Sequence, residues 1–142
     1  MSKLFGQFQV KPTSSAFADA RSLFPRVRDY QELRRQALKL AFWPSGETVS
    51  GQVCDLDWDI ISGMSAPKGY ELRVDDEIGG FNNLRLVFYV FNKDLILPGD
   101  VLPRMWILAV MQKKTQRFSV QNLKTFAARI ALIQQRWYRD HL

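Results

Sequence analysis

Apolar positions recur at helical spacing near the start of the chain, alternate through its middle, and return to helical spacing at the end. Residues 5–10 can make one short strand, closed by Pro12, which has no backbone donor for a ladder. Ser14 or Ser15 can cap a helix over 16–24, with Phe17, Ala20, Leu23 and Phe24 on one side. Pro25 stops it. Asp29 can cap a second helix over 30–42 whose buried stripe is Leu33, Ala37, Leu40 and Ala41; Pro44-Ser45-Gly46 ends it. Strand potential follows around Val53 and over 58–61, then a loop at 62–69. A strand at 70–74, a turn at 75–83 containing Gly79-Gly80, and strands at 84–91 and 104–111 complete the middle. A long connection over 92–103 holds Pro98-Gly99. Ser119 stands at an N-cap position. Behind it Val120, Leu123, Phe126, Ala127, Ile130, Ile133 and Trp137 recur at helical spacing.

Helices at one end, strands in series and a last helix predict one α+β domain over 1–142. Its sheet is small and antiparallel or mixed, with two N-terminal helices and a C-terminal helix. Alternation puts Leu84, Leu86, Phe88 and Val90 on one sheet face and Arg85, Val87, Tyr89 and Phe91 on the other. In the following strand it groups Trp106, Leu108 and Val110 against Met105, Ile107, Ala109 and Met111.

Composition narrows the class. With 46% hydrophobic residues the chain can bury a core. No apolar run approaches the roughly 20 residues of a membrane span, and the first residues lack a signal-peptide core. One cysteine, Cys54, excludes an internal disulfide, and a reducing cytoplasm is the expected setting. Cys54 lies among carboxylates that would raise its pKa, which argues against a nucleophile. The one histidine, His141, adjoins the C-terminus, so a histidine triad or metal site is not expected. No glycine-rich phosphate loop is present.

Charge is unevenly spread. Residues 1–43 carry eight Lys/Arg against three Asp/Glu, residues 44–82 two against eight, and residues 83–142 ten against three. Clustered cations point either to a polyanion partner or to solvated faces. Lys113, Lys114 and Arg117 sit where a hydrophobic strand ends and a helix begins, which makes either a solvated corner or an anion site. Arg85 shares a face with Tyr89, and strand pairing can bring the basic corner to it; the alternative for Arg85 is a rim ion pair with Asp75, Asp76 or Glu77. For Tyr89 it is plain packing. Asp55, Asp57 and Asp59 alternate on one face and read either as a cation or acid–base set or as a polar strand edge.

The words "YELRV" (70–74), "NLRLVFYVF" (83–91) and "ILAVMQKKTQRFSVQNLKTFAARI" (107–130) resemble the RelE/ParE toxin superfamily, closest to its HigB-like, phage-type branch. The resemblance covers about half the chain. It implies the toxin of a bacterial toxin–antitoxin pair: a metal-independent, cofactor-free endoribonuclease that cuts mRNA on the ribosome, the ribose 2′-hydroxyl attacking the adjacent phosphate. Such chemistry needs cations around the phosphate and a proton acceptor and donor. By position in the motifs, the resemblance implies Arg85, Lys113, Lys114 and Tyr89 as catalytic residues. It implies Arg73, Arg117, Lys124, Arg129 and Tyr138 as RNA contacts. It also implies a cognate antitoxin, with exposed apolar strips around Leu33 and Leu40 as its docking place. RelE itself carries a K-x-K pattern where this chain has Tyr70-Glu71-Leu72-Arg73, and Glu71 has the wrong charge for a phosphate site. The ParE arm acts on gyrase with the same fold, so an interaction protein is the other implied class.

Overall fold

A computed structural model describes residues 7–46, 56–64, 67–90 and 99–141. Strands β1 (Gln9–Pro12), β2 (Trp58–Ile60), β3 (Tyr70–Val74), β4 (Leu84–Val90) and β5 (Arg104–Gln112) form one sheet in the order β1-β5-β4-β3-β2. Helices α1 (Ser14–Leu23) and α2 (Val27–Leu38) follow β1, and α3 (Val120–His141) follows β5. The fold is α+β, as expected, and the sheet is mixed. β2 to β5 pair antiparallel in series, while β1 lies parallel to β5 at the edge. Pro12 is tolerated there because an edge strand has one ladder only.

Element ends moved for identifiable reasons. Thr13, not Ser14 or Ser15, caps α1: its Oγ1 accepts from the Ala16 amide at 3.1 Å. β1 accordingly runs on to Pro12. The second helix begins at Val27, so Asp29 lies in its first turn rather than at the cap, favourable to the helix dipole. Lys39–Phe42 tighten into a 3-10 turn. Ser119 does cap α3, its Oγ accepting from the Asn122 amide at 3.0 Å. Val53 lies outside the described residues.

Both sheet faces are covered. On one, Leu84, Leu86 and Phe88 of β4 pack with Leu72 and Val74 of β3 against Ala16, Ala20, Leu33, Ala37 and Leu40. Leu33 and Leu40 are 3% and 0% exposed. They belong to the core and cannot be the exposed docking strip expected of them, because the helices turn that stripe onto the sheet. On the other face, Val87 and Tyr89 meet Phe126 and Ile130 of α3. Within the α3 stripe, Val120 is 70% exposed and Ala127 is exposed too; Leu123, Phe126, Ile130 and Ile133 pack onto the sheet, and Trp137 is half-buried.

Strict alternation along β5 fails at one residue. Phe88 pairs with Ile107 but Val87 pairs with Ala109, so Leu108 is an extra, bulged residue. Leu108 and Ala109 both lie on the α3 side, and Val110 joins Met105 and Ile107 on the α1–α2 side. The expected grouping of Trp106, Leu108 and Val110 is thereby broken. Beyond Ile107, β1 no longer pairs with β5. Arg129 of α3 donates to the Leu108 carbonyl at 2.8 Å and to Asp19 of α1 at 2.9 Å, and the Val110 amide reaches Asp19 at 3.4 Å. This ion pair satisfies backbone groups that the sheet leaves open.

The seating of α3 sets a stability contrast. Phe126→Ala is expected to cost about 3–5 kcal/mol, whereas Val120→Asn should stay within about 0.5 kcal/mol, both read by denaturant unfolding.

Candidate nucleic-acid interface

Strand register brings the basic corner to Arg85. Arg85 lies opposite Met111, and Leu84 opposite Gln112. The Lys113 amide then donates to the Asn83 carbonyl at 2.9 Å, and the Gln112 side chain to Asn82 at 3.0 Å. The chain leaving β5 is thus tied to the turn entering β4. Asn83 itself has φ 52°, a left-handed position that Asn tolerates better than most residues.

On the α3 side of the sheet, three charges meet. Glu71 of β3 faces the same way as Arg85 because it pairs with Val87, two residues along. Arg85 Nε donates to Glu71 Oε1 at 3.0 Å, and Lys113 Nζ to Oε1 and Oε2 at 3.1 and 3.3 Å. Exposures of the three side chains are 7% for Arg85, 12% for Lys113 and 15% for Glu71. Arg85 Nη1 also donates to the Leu84 carbonyl. The rim partners Asp75, Asp76 and Glu77 are therefore not what holds Arg85. Lys113 Nζ further sits 4.5 Å from the centre of the Phe118 ring, a cation–π contact. Phe118 stands edge-on to Phe126, which anchors the corner to α3.

Around this cluster the remaining predicted residues divide. Arg73 lies directly opposite Arg85 but turns to Asp57 at 3.7 Å and is half exposed. Lys114, Arg117 and Lys124 are exposed, with no ion-pair partner among the described residues. The Thr115 hydroxyl donates to the Arg117 carbonyl and shapes the loop between them. Tyr89 does not join the cluster. It is four residues from Arg85 along β4, about 13 Å, and 4% exposed, with its hydroxyl accepting from Gln134 of α3. That burial takes it out of the implied catalytic set and leaves the packing alternative. Arg129 is likewise taken up by Asp19 and Leu108, so it holds α3 to the sheet edge rather than facing outward. The Tyr138 side chain and Cys54 lie outside the described residues. Asp55 does as well; Asp57 is held by Arg73, and Asp59 accepts from the Ile60 amide at 2.8 Å. No group of three or more His, Cys, Asp or Glu that could hold a metal ion occurs among the described residues.

Sequence reasoning passed over two partners. Glu71 was legible as a neighbour of Arg85 from β3 alternation once pairing is assumed, since Glu71 and Arg73 share a face. Asp19 carried no such signal, being 110 residues from Arg129. Chemically, the corner offers two cations bridged by one carboxylate, fringed by free cations. It can take a phosphate at its rim, and deeper only by displacing Glu71.

The bridge makes Glu71 a stability determinant. Glu71→Ala leaves Arg85 and Lys113 as adjacent, largely buried cations and is expected to cost about 3–5 kcal/mol. Arg73→Ala removes an exposed pair and should cost less than about 1 kcal/mol, measured in the same unfolding series.

Among the described residues no helix is long and apolar enough to cross a membrane. Comparison with family models, with curated proteins and with solved structures returns no match for this chain.

Proposed function

We propose that the chain is a toxin of the RelE/ParE type, a cytoplasmic, ribosome-dependent mRNA endonuclease restrained by an antitoxin. The observation that carries this reading is the convergence of Arg85 and Lys113, from neighbouring strands, beside the exposed Lys114 and Arg117. The order of elements, with two helices after the first strand and one after the last, also supports it.

In this reading the ribose 2′-hydroxyl gives its proton to water and its oxygen bonds to phosphorus, while the bond to the 5′-oxygen breaks and that oxygen takes up a proton from water. The products are a 2′,3′-cyclic phosphate and a 5′-hydroxyl. Negative charge gathers on the non-bridging oxygens in the transition state, where Arg85, Lys113 and Lys114 would stabilise it. Lys114 is free to meet the phosphate; Arg85 and Lys113 reach it once Glu71 gives way.

A second reading has its own observation. Glu71 already holds both Arg85 and Lys113, and Tyr89 is buried, which favours a catalytically silent or gyrase-directed interaction protein on the same fold.

Cell-free translation with purified protein, followed by primer extension on the mRNA, separates the two. The nuclease reading expects cuts at ribosome-occupied codons, reduced about 100- to 1,000-fold by Arg85→Ala and also reduced by Lys114→Ala. Lys114 is exposed, so its variant keeps the comparison valid if Arg85→Ala lowers stability. Intact mRNA at full translation with the wild type would overturn the nuclease and direct the next test to gyrase supercoiling.

A further inference from the structure

Helix α2 is buried along Leu33, Gln36 and Ala37 and turns Val27, Arg34 and Leu38 to the outside. At roughly 100° per residue these three lie within about 40° of one another around the axis and span about 17 Å along it. Val27 is 61% exposed and Leu38 48%. Tyr30 borders the stripe and meets Phe17 of α1 edge-on, ring centres 5.9 Å apart. Phe17 is itself 48% exposed, and the Arg21 guanidinium lies 5.2 Å from the centre of the Tyr30 ring. Two helices thus present one mixed surface, joined through Tyr30. Its cations are uncompensated. Arg21 and Arg34 are exposed, with no ion-pair partner among the described residues. The acids of both helices are engaged elsewhere. Asp19 pairs with Arg129. Asp29 lies against the turn at Gly79, where an added Cβ would stand 2.9 Å from its Oδ2. Hydrogen bonds from Arg35 and Gln36 hold Glu32 ionised, its pKa lowered to about 2.

We propose that this α1–α2 surface docks an acidic amphipathic helix of a partner protein. A single exposed apolar residue is ordinary surface, but here Phe17, Val27 and Leu38 are arrayed around one half-buried ring. Tyr, Phe and Arg are also the residues in which interface centres are enriched. A straight stripe of about 17 Å matches roughly three turns of a second helix, which presents its anchors at i, i+3, i+4 and i+7. The apolar side chains would receive those anchors, and Arg21 and Arg34 the flanking carboxylates. Arg34 stands within the stripe, between Val27 and Leu38, so the partner must set a carboxylate between apolar contacts. A protein segment can do this, whereas an anionic bilayer takes apolar and cationic groups at different depths. A second copy, set surface to surface, would bring Arg21 and Arg34 against their own kind. Nothing in this surface depends on the nuclease reading.

The test is fluorescence anisotropy of full-length protein with a labelled peptide of about 20 residues, Leu on one helical face and Glu on the others, used where it is monomeric. Two further peptides replace Glu by Lys, or scramble the Leu positions at the same composition. Two double variants change only exposed side chains, Arg21→Gln/Arg34→Gln and Val27→Ser/Leu38→Ser, and both should melt close to wild type. Lys124→Gln/Arg136→Gln removes equal charge elsewhere. The expected result is binding of the acidic amphipathic peptide that each α1–α2 variant weakens about tenfold or more, and that the α3 variant leaves within about twofold. Equal binding by wild type and either α1–α2 variant would overturn the surface. So would equal binding of the scrambled or the Lys peptide, or no binding below about 1 mM. Anionic phospholipid vesicles that retain wild type but not Val27→Ser/Leu38→Ser would overturn the protein partner in favour of a bilayer. A dimer in sedimentation that the same variant dissolves would overturn it in favour of a second copy.

Discussion

Strand β5 is the constraint on which the rest of the molecule depends. It pairs parallel with β1 on one side and antiparallel with β4 on the other, so its register fixes both halves of the sheet. The bulge at Leu108 divides it. Before the bulge, β5 carries β1; after it, the edge is closed by the Asp19–Arg129 pair instead of a strand. An open edge is a template for unwanted strand pairing, and here an ion pair between helices from opposite layers covers it. The same two hydrogen-bonded residues tie α1 to α3 across the sheet.

The register of β5 against β4 also builds the charged corner. Because Leu84 meets Gln112, the chain beyond β5 passes the start of β4, and Lys113 reaches Glu71 from there. Glu71 then sets the electrostatic character of the place. Two largely buried cations without it would repel in a poorly solvated site; with it they are held close and in order. The cost is that the carboxylate occupies ground an incoming phosphate would use. Stability and anion binding compete for the same two side chains, and this competition separates the enzymatic from the silent reading.

Cations are partitioned by the layers. Those pointing into seams between elements find carboxylates, as Arg129 does with Asp19 and Lys113 with Glu71. Lys124 and Arg136 of α3 are exposed, with no ion-pair partner among the described residues. A charge count over the last third of the chain therefore overstates the cations available to a ligand, and the seams decide which remain.

Much of the architecture was readable from the chain. Alternation in LRLVFYV assigned the faces of β4 correctly, since a strand buried on both sides still keeps its period of two. Ser119 and the spacing behind it marked α3, and the proline breaks separated α1 from α2. The two-helix, strand-series, helix order carried the α+β class. What the chain could not announce were facts of contact between distant segments. The bulge at Leu108 reversed the alternation of β5, because an extra residue is visible only against its partner strand. The burial of Leu33 and Leu40, the exposure of Val120, and the withdrawal of Tyr89 and Arg129 into packing depend on which face each element turns inward. Local spacing determines that a face exists; only tertiary packing decides what it meets, and so which charges are neutralised and which stay free.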